Sequence, residues 1–388
     1  MNARGAAAPA SGRESRDRSK EFLVVAATAM LVSLILWSRT AKLLPGTALF
    51  AAPADHHKYI RMAQDGVMSL HIAPYSWRVL TPLIVHFLPG TLIVRFQLVA
   101  FLSLWTSAIL VYYICRRSAF DRTLSMAGLL LFCSLGYAVK FNMFDFWLSD
   151  PLAFVFVLTS ILLLLDDRIL LFAFTLAIGV LAKESVIFVA PLYYSFKQAK
   201  PWEGRLALKT LALALPSVVV LAILRLANPA DNGYSLTGAM SQAIHGRAAD
   251  FVPTLVHVFS AFGLLLPILA LVGGRGSVAV LRRYWPFVVG VLAQLLFALN
   301  TQRLVVLGFP VVVLMALEGL SRIRQRFGLS TFAVIASCVV FVATDLVDPA
   351  RAEPGAVLQV LALLLVTLIC LLDRLTHWSP PIHAADAR

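Results

Sequence analysis

The chain has 388 residues, 60% hydrophobic and 14% charged, with 33 Lys and Arg against 20 Asp and Glu for a formal net charge of +13. Water-soluble domains run at about half apolar and about a quarter charged residues, so a soluble globule is excluded. Most of the basic excess lies in short clusters between apolar runs, where it orients membrane spans, so it does not call for a nucleic-acid partner.

Residues 1–21 are small, polar and basic, and are expected to form a disordered cytoplasmic tail. The first apolar run, 22–38, has a long polar leader, and the small-residue stretch AAPA comes well after the run ends. It reads as an uncleaved first span rather than a signal peptide. Further apolar runs, ended by Arg or Lys, place spans at 91–114, 124–139, 151–165, 169–182, 185–196, 207–226, 251–272, 284–299, 304–320, 329–346 and 356–372. The expected fold is all-α: a polytopic membrane protein of about 12 transmembrane helices. One membrane domain covers 22–372, interfacial helices occupy the first extracytoplasmic loop at 39–90, and a cytoplasmic tail covers 373–388. Cys115, Cys133, Cys338 and Cys370 fall in or at the ends of apolar runs without metal-ligand spacing.

Within ILLFAFTLAIGVLAKESVIFVAPLYYSF the dipeptide Lys183–Glu184 interrupts the apolar pattern. An ionised pair at mid-membrane costs several kcal/mol, so two short helices meeting at a turn are expected there. With both termini cytoplasmic, that choice also keeps the basic clusters RIRQR and GGRGS…RR inside. The opposite face then receives loop 39–90, KFNMFDFWLSDP, the AKES turn, loop 227–250 and NTQR, which hold nearly every unusual polar residue. The cytoplasmic connections are short and carry no GxxxxGK[ST] phosphate loop.

In PADHHKYIRMAQDG, a helix from residue 55 would put Asp55, Tyr59 and Met62 on one face. Asp55 has two readings: a base that takes a proton from a hydroxyl, or an N-cap that satisfies free backbone N–H groups. His56 and His57 point about 100° apart on a helix and do not share one ion easily. In PYSWRVLTP, Tyr75 and Trp77 suit the headgroup level, and Arg78 suits either a lipid or a substrate phosphate. Asp150–Pro151 has the form of an N-cap followed by N1 proline, whereas Asp145 is an acid among aromatic residues with no such account. Lys183–Glu184 reads as a local ion pair, and Arg303 as a side chain at a span edge.

This set of features resembles the GT-C superfamily, the integral-membrane glycosyltransferases that use polyprenyl-phosphate sugars and include the protein mannosyltransferase and lipid A aminoarabinose transferase types. The family's first extracytoplasmic loop opens with a D-E-x-x-Y-like motif, matched here by Asp55-His56-His57-Lys58-Tyr59. His56 stands where the family has a second acid, so metal dependence through that acid does not carry over, while a divalent cation held by Asp55 stays open as a cofactor. PYSWRVLTP with Arg78, Asp150 before the fourth span, Lys183–Glu184 and Arg303…Pro310 fit the family's order over about residues 20–320. The resemblance implies a single inverting displacement with Asp55 as base and Asp145 and Asp150 as further acids at the reacting centre. Tyr59, His56, Arg78, Lys183, Glu184 and Arg303 would bind substrate. It also implies a polyprenyl-phosphate sugar donor, a lipid or glycan acceptor, and contact with membrane lipids in a bacterial plasma membrane. Two other classes fit the same residues: a transporter or lipid flippase, and a non-catalytic partner in envelope polysaccharide assembly.

Overall fold

The structure is a computed structural model that describes residues 11–52, 54–200, 202–231, 235–298, 300–347 and 355–376. All regular elements among them are helical, with no strand. Six helices are long and apolar enough to cross a membrane: Asp17–Arg39, Leu92–Arg117, Gly204–Ala227, Arg275–Leu296, Thr301–Phe327 and Val357–Thr376. The number rises to eight if each of two bent pairs is one span. The protein is therefore a polytopic helical membrane protein, but the expected count of about 12 is not met.

The shortfall has local causes. The 124–139 run stops at Cys133, passes through extended Leu135, and restarts at Gly136 in a wide π-type turn bent by 62°. The 251–272 run turns by 82° between Ser260 and Leu265, around Gly263 at φ +66°. A left-handed backbone of that kind suits glycine. Asp150–Leu165, Ile169–Gly179 and Thr331–Thr344 remain short apolar helices, and the 185–196 run splits into the 3-10 turn Glu184–Val189 and the six-residue helix Leu192–Lys197, all below the roughly 20 residues that cross a bilayer unaided. The N-terminal expectation changes as well. The first helix runs Ser11–Arg39, so residues 11–21 are helical, and residues 1–10 lie outside the described part. At the other end the last helix closes at Thr376, inside the expected 373–388 tail, of which residues 377–388 are not described.

Packing separates a centre from a periphery. The apolar window of Thr301–Phe327 is 72% buried, whereas that of Gly204–Ala227 is 11% buried, leaving its Leu and Val side chains for lipid. Phe309–Phe327 packs against Leu265–Val272, Arg275–Ala293 and Arg122–Cys133, while Leu92–Arg117 packs against Asp150–Leu165. Gly319 permits the closest approach, because a Cβ there would lie 1.9 Å from the Leu269 carbonyl oxygen. Small residues at helix contacts are the usual device where lipid supplies no hydrophobic drive.

The first loop folds onto this bundle through a second core. The helix Asp55–Asp65 starts after extended Ala54 and stops at Gly66, φ +102°. Its buried residues, His56, Tyr59, Met62 and Ala63, recur at helical spacing. Tyr59 and Ala63 share a core with Phe146 and Trp147, Met62 packs with Leu70 and Val79, and the Trp147 indole donates to the Leu43 carbonyl at 2.8 Å. Trp77, expected at the headgroup level, is instead buried and donates to the Asn228 carbonyl at 3.1 Å. Asn228 returns two amide bonds, to Leu70 and Ser76 carbonyls, at 3.1 Å each. This clamps the loop to the end of Gly204–Ala227.

Candidate functional site

Three helix starts, one short turn and one break converge. Asp55 opens its helix, Arg303 lies in the first turn of Thr301–Val305, and Asp150 is the first residue of Asp150–Leu165. Arg78 follows the short turn Tyr75–Trp77, and Lys183–Glu184 sits between Ile169–Gly179 and Glu184–Val189. The expected break at that dipeptide is thus present.

Arg303 ties the group together. Its Nη1 donates to Asp55 Oδ2 and its Nη2 to Asp150 Oδ2, each at 2.7 Å. Asp150 Oδ1 takes Lys183 Nζ, and Asp55 Oδ1 takes the Tyr75 hydroxyl at 2.6 Å and Lys58 Nζ at 3.5 Å. Alongside, Arg78 grips Glu184 with both Nε, at 2.9 Å, and Nη2, at 2.5 Å. Arg78 Nη1 also donates to the Tyr59 hydroxyl at 3.3 Å, and Ser149 Oγ donates to the same hydroxyl at 3.1 Å.

Several sequence readings change on this geometry. Lys183 and Glu184 do not pair with each other; they pair with Asp150 and Arg78. The N-cap of Asp150–Leu165 is Ser149 rather than Asp150, whose carboxylate is spent on two cations. Asp55 does not cap its own helix either, since the N-cap position belongs to Ala54. Arg303 is turned inward with its side chain 13% exposed, rather than reaching out to an interface. His56 leaves the candidate set. Its Nε2 lies 3.1 Å from the Phe50 carbonyl, its ring stacks on Phe50, and it does not line the cleft described below. Tyr75, Lys58 and Ser149 join the network without having been singled out for it; their partners are other loop residues, and only the short Lys58–Asp55 spacing is visible in sequence.

A cleft of about 640 Å³ opens over the network. Among the described residues Asp55 is the only acid lining it, together with the cations Arg78, Lys183 and Arg303. Asp150 and Glu184 stand behind those cations rather than on the wall. The exposed face of the site is therefore cationic with one carboxylate, a pattern suited to an anion beside a group that gives up a proton.

Burial pushes the Asp55 carboxyl up, but Arg303, the Tyr75 hydroxyl and Lys58 outweigh it and hold the group below its ordinary value. Tyr75 moves the other way: burial and the Asp55 charge raise its phenol and keep it a donor. Asp145 is the outlier. Burial, with Asp55 and Asp150 nearby, lifts it to about 7 against the pull of Arg303. The Trp147 backbone N–H bonds to its carboxyl, while Oδ1 is buried without a partner. Asp145 lies behind the cleft, not on its wall.

The donor set does not suit a divalent cation. Among the described residues no three His, Cys, Asp or Glu side chains gather as ligands, and Asp55 and Asp150 are each engaged by Arg303. The fold and cleft define a polytopic helical membrane protein with a charged, ligand-sized cleft where helix ends meet. The chain matches no protein-family model, and no curated protein matches it at a significant level.

Proposed function

We propose that the protein is a glycosyltransferase of the outer face of a bacterial plasma membrane, moving a sugar from a polyprenyl-phosphate donor to a hydroxyl of a lipid or glycan acceptor. The observation that carries the reading is the cleft lining: one carboxylate, Asp55, set among Arg78, Lys183 and Arg303. In the reaction the acceptor oxygen forms a bond to C1 of the sugar as the C1–O bond to phosphate breaks, with inversion. The hydroxyl proton goes to Asp55, and the electron pair leaves on the phosphate. Arg303, Lys183 and Arg78 meet the charge growing there; preorganised donors of this kind contribute several kcal/mol.

The ion pairs also order the events. Asp55 is a poor base while Arg303 and Tyr75 bond to it. A donor phosphate competes for Arg303, and as that guanidinium turns to the phosphate, Asp55 regains basicity beside the acceptor. Asp150, held by Lys183 as well, keeps Arg303 anchored meanwhile. Asp150 is therefore a positioning acid, and Tyr59 and Glu184 position Arg78.

The test is mass spectrometry of surface glycans and glycolipids from a deletion strain, and from the same strain carrying wild type or Asp55→Asn at equal membrane levels. Loss of one sugar in the deletion, restored by wild type and reduced about 10²–10⁴-fold by Asp55→Asn, fits loss of a general base. Full rescue by Asp55→Asn would sink the proposal and favour a transporter or an assembly partner.

A further inference from the structure

The cleft has two unlike walls. One carries Asp55, Arg78, Lys183 and Arg303; the other carries no charged side chain among the described residues. That second wall is built by the start of the Leu236–Ala249 helix, with Gly238, Ala239 and Ala243 leaving space, and by Phe297, Ala298, Asn300 and Leu304, while the Arg303 guanidinium turns away to Asp55 and Asp150. Arg247, one turn beyond Ala243, donates to the Ala298 carbonyl and ties the two pieces together.

Three hydrogen-bonding side chains line this wall: Ser235, Gln242 and Asn300. Ser235 accepts from the Gly238 N–H at 3.0 Å and Asn300 from the Arg303 N–H at 3.3 Å, so both act as helix caps. The Gln242 amide has no hydrogen-bond partner among the described residues, and Phe297 supplies an aromatic ring on the same wall. An amide with two donors and one acceptor oxygen matches adjacent hydroxyls, and an aromatic face matches the C–H side of a saturated ring.

We infer that this wall receives an uncharged sugar ring, its hydroxyls on Gln242 and its C–H face on Phe297, with the anomeric phosphate across the cleft on Arg78, Lys183 and Arg303. The inference rests on the transferase reading and narrows it to sugars without an amine or carboxylate. A charged sugar would bring an ionic group against a wall that holds no counter-charge among the described residues, and the one lining carboxylate, Asp55, is taken up by the acceptor hydroxyl in the proposed reaction. Specificity of this kind works by leaving the wrong ligand's charge unpaired.

The experiment uses the full-length chain in the deletion strain, with wild type, Asp55→Asn, Gln242→Ala and Phe297→Ala matched for membrane level. Gln242 is exposed, so its truncation leaves packing intact and keeps the test open even if Phe297→Ala folds poorly. The sugar missing from the deletion's glycans is identified by mass spectrometry and its amount measured in each variant. The expected result is a neutral sugar, reduced about tenfold in Gln242→Ala by loss of its hydrogen bonds and also reduced in Phe297→Ala. A missing sugar that bears an amine or carboxylate overturns the inference. So does a wild-type amount in Gln242→Ala while Asp55→Asn still abolishes the product; in both cases the transferase reading stands. Full rescue by Asp55→Asn overturns the transferase reading and this inference together.

Discussion

Replacing Arg303 with Met removes a side chain that joins the loop, the start of Asp150–Leu165 and the late bundle. Two bonds of 2.7 Å are lost, to Asp55 and to Asp150, whose side chain is 4% exposed. Breaking one partner out of a buried ion pair costs about 3–5 kcal/mol, because the remaining charge stays buried without compensation. Here the loss falls at about the lower end of that range, since Asp150 retains Lys183 and Asp55 retains Tyr75 and Lys58. The same logic fixes the sign of a coupling: Asp150→Asn costs less in the Arg303→Met background than alone, because the Arg303–Asp150 bond is already gone while Lys183 loses its partner in both, with a coupling of about 0.5–3 kcal/mol. The assay is thermal unfolding of the purified protein in detergent for wild type, each single variant and the pair. An Arg303→Met protein as stable as wild type, or a double variant whose losses simply add, would refute the bridging role.

Gly319→Ala should destabilise by about 1–3 kcal/mol by overpacking, because the new methyl would meet the Leu269 carbonyl oxygen at 1.9 Å; the same unfolding assay reads it. Asp145 predicts a pH effect. Its folded value, raised by burial from 3.8 to about 7, means the folded state holds an extra proton between those limits. Its contribution is then fully present below 3.8 and is lost as pH rises through about 7. Unfolding temperature should therefore decline across that window in wild type, and Asp145→Asn should flatten the decline. An unchanged profile would remove Asp145 from it.

What could be read from sequence follows the range of each interaction. The Lys183–Glu184 break was legible because a charge pair inside an apolar run has no cheap place in a membrane. The buried face of Asp55–Asp65 was legible because periodicity is local. Pairing was not: Arg303 reaches Asp150 across 153 positions and Arg78 reaches Glu184 across 106, and no spacing rule connects such partners. The adjacent Lys183 and Glu184 looked like partners but diverge, because the turn sends one side chain to Asp150 and the other to Arg78. Span counting failed where an apolar run folds as a helix too short to cross, as at Asp150–Leu165 and Ile169–Gly179, or continues through a backbone bend, at Leu135 and at Gly263. Hydropathy registers the run and is blind to the turn inside it. His56 was drawn in by motif position, although its ring faces Phe50 rather than the cleft.

The central claim is that Asp55 drives consumption of a polyprenyl-phosphate sugar. The most direct measurement is the size of that lipid pool, by mass spectrometry of membrane lipids from the deletion strain carrying wild type or Asp55→Asn at equal levels. The account predicts that one sugar-loaded polyprenyl phosphate accumulates with Asp55→Asn as it does in the deletion, and returns to its low level with wild type. A pool in the Asp55→Asn strain equal to that with wild type would contradict it.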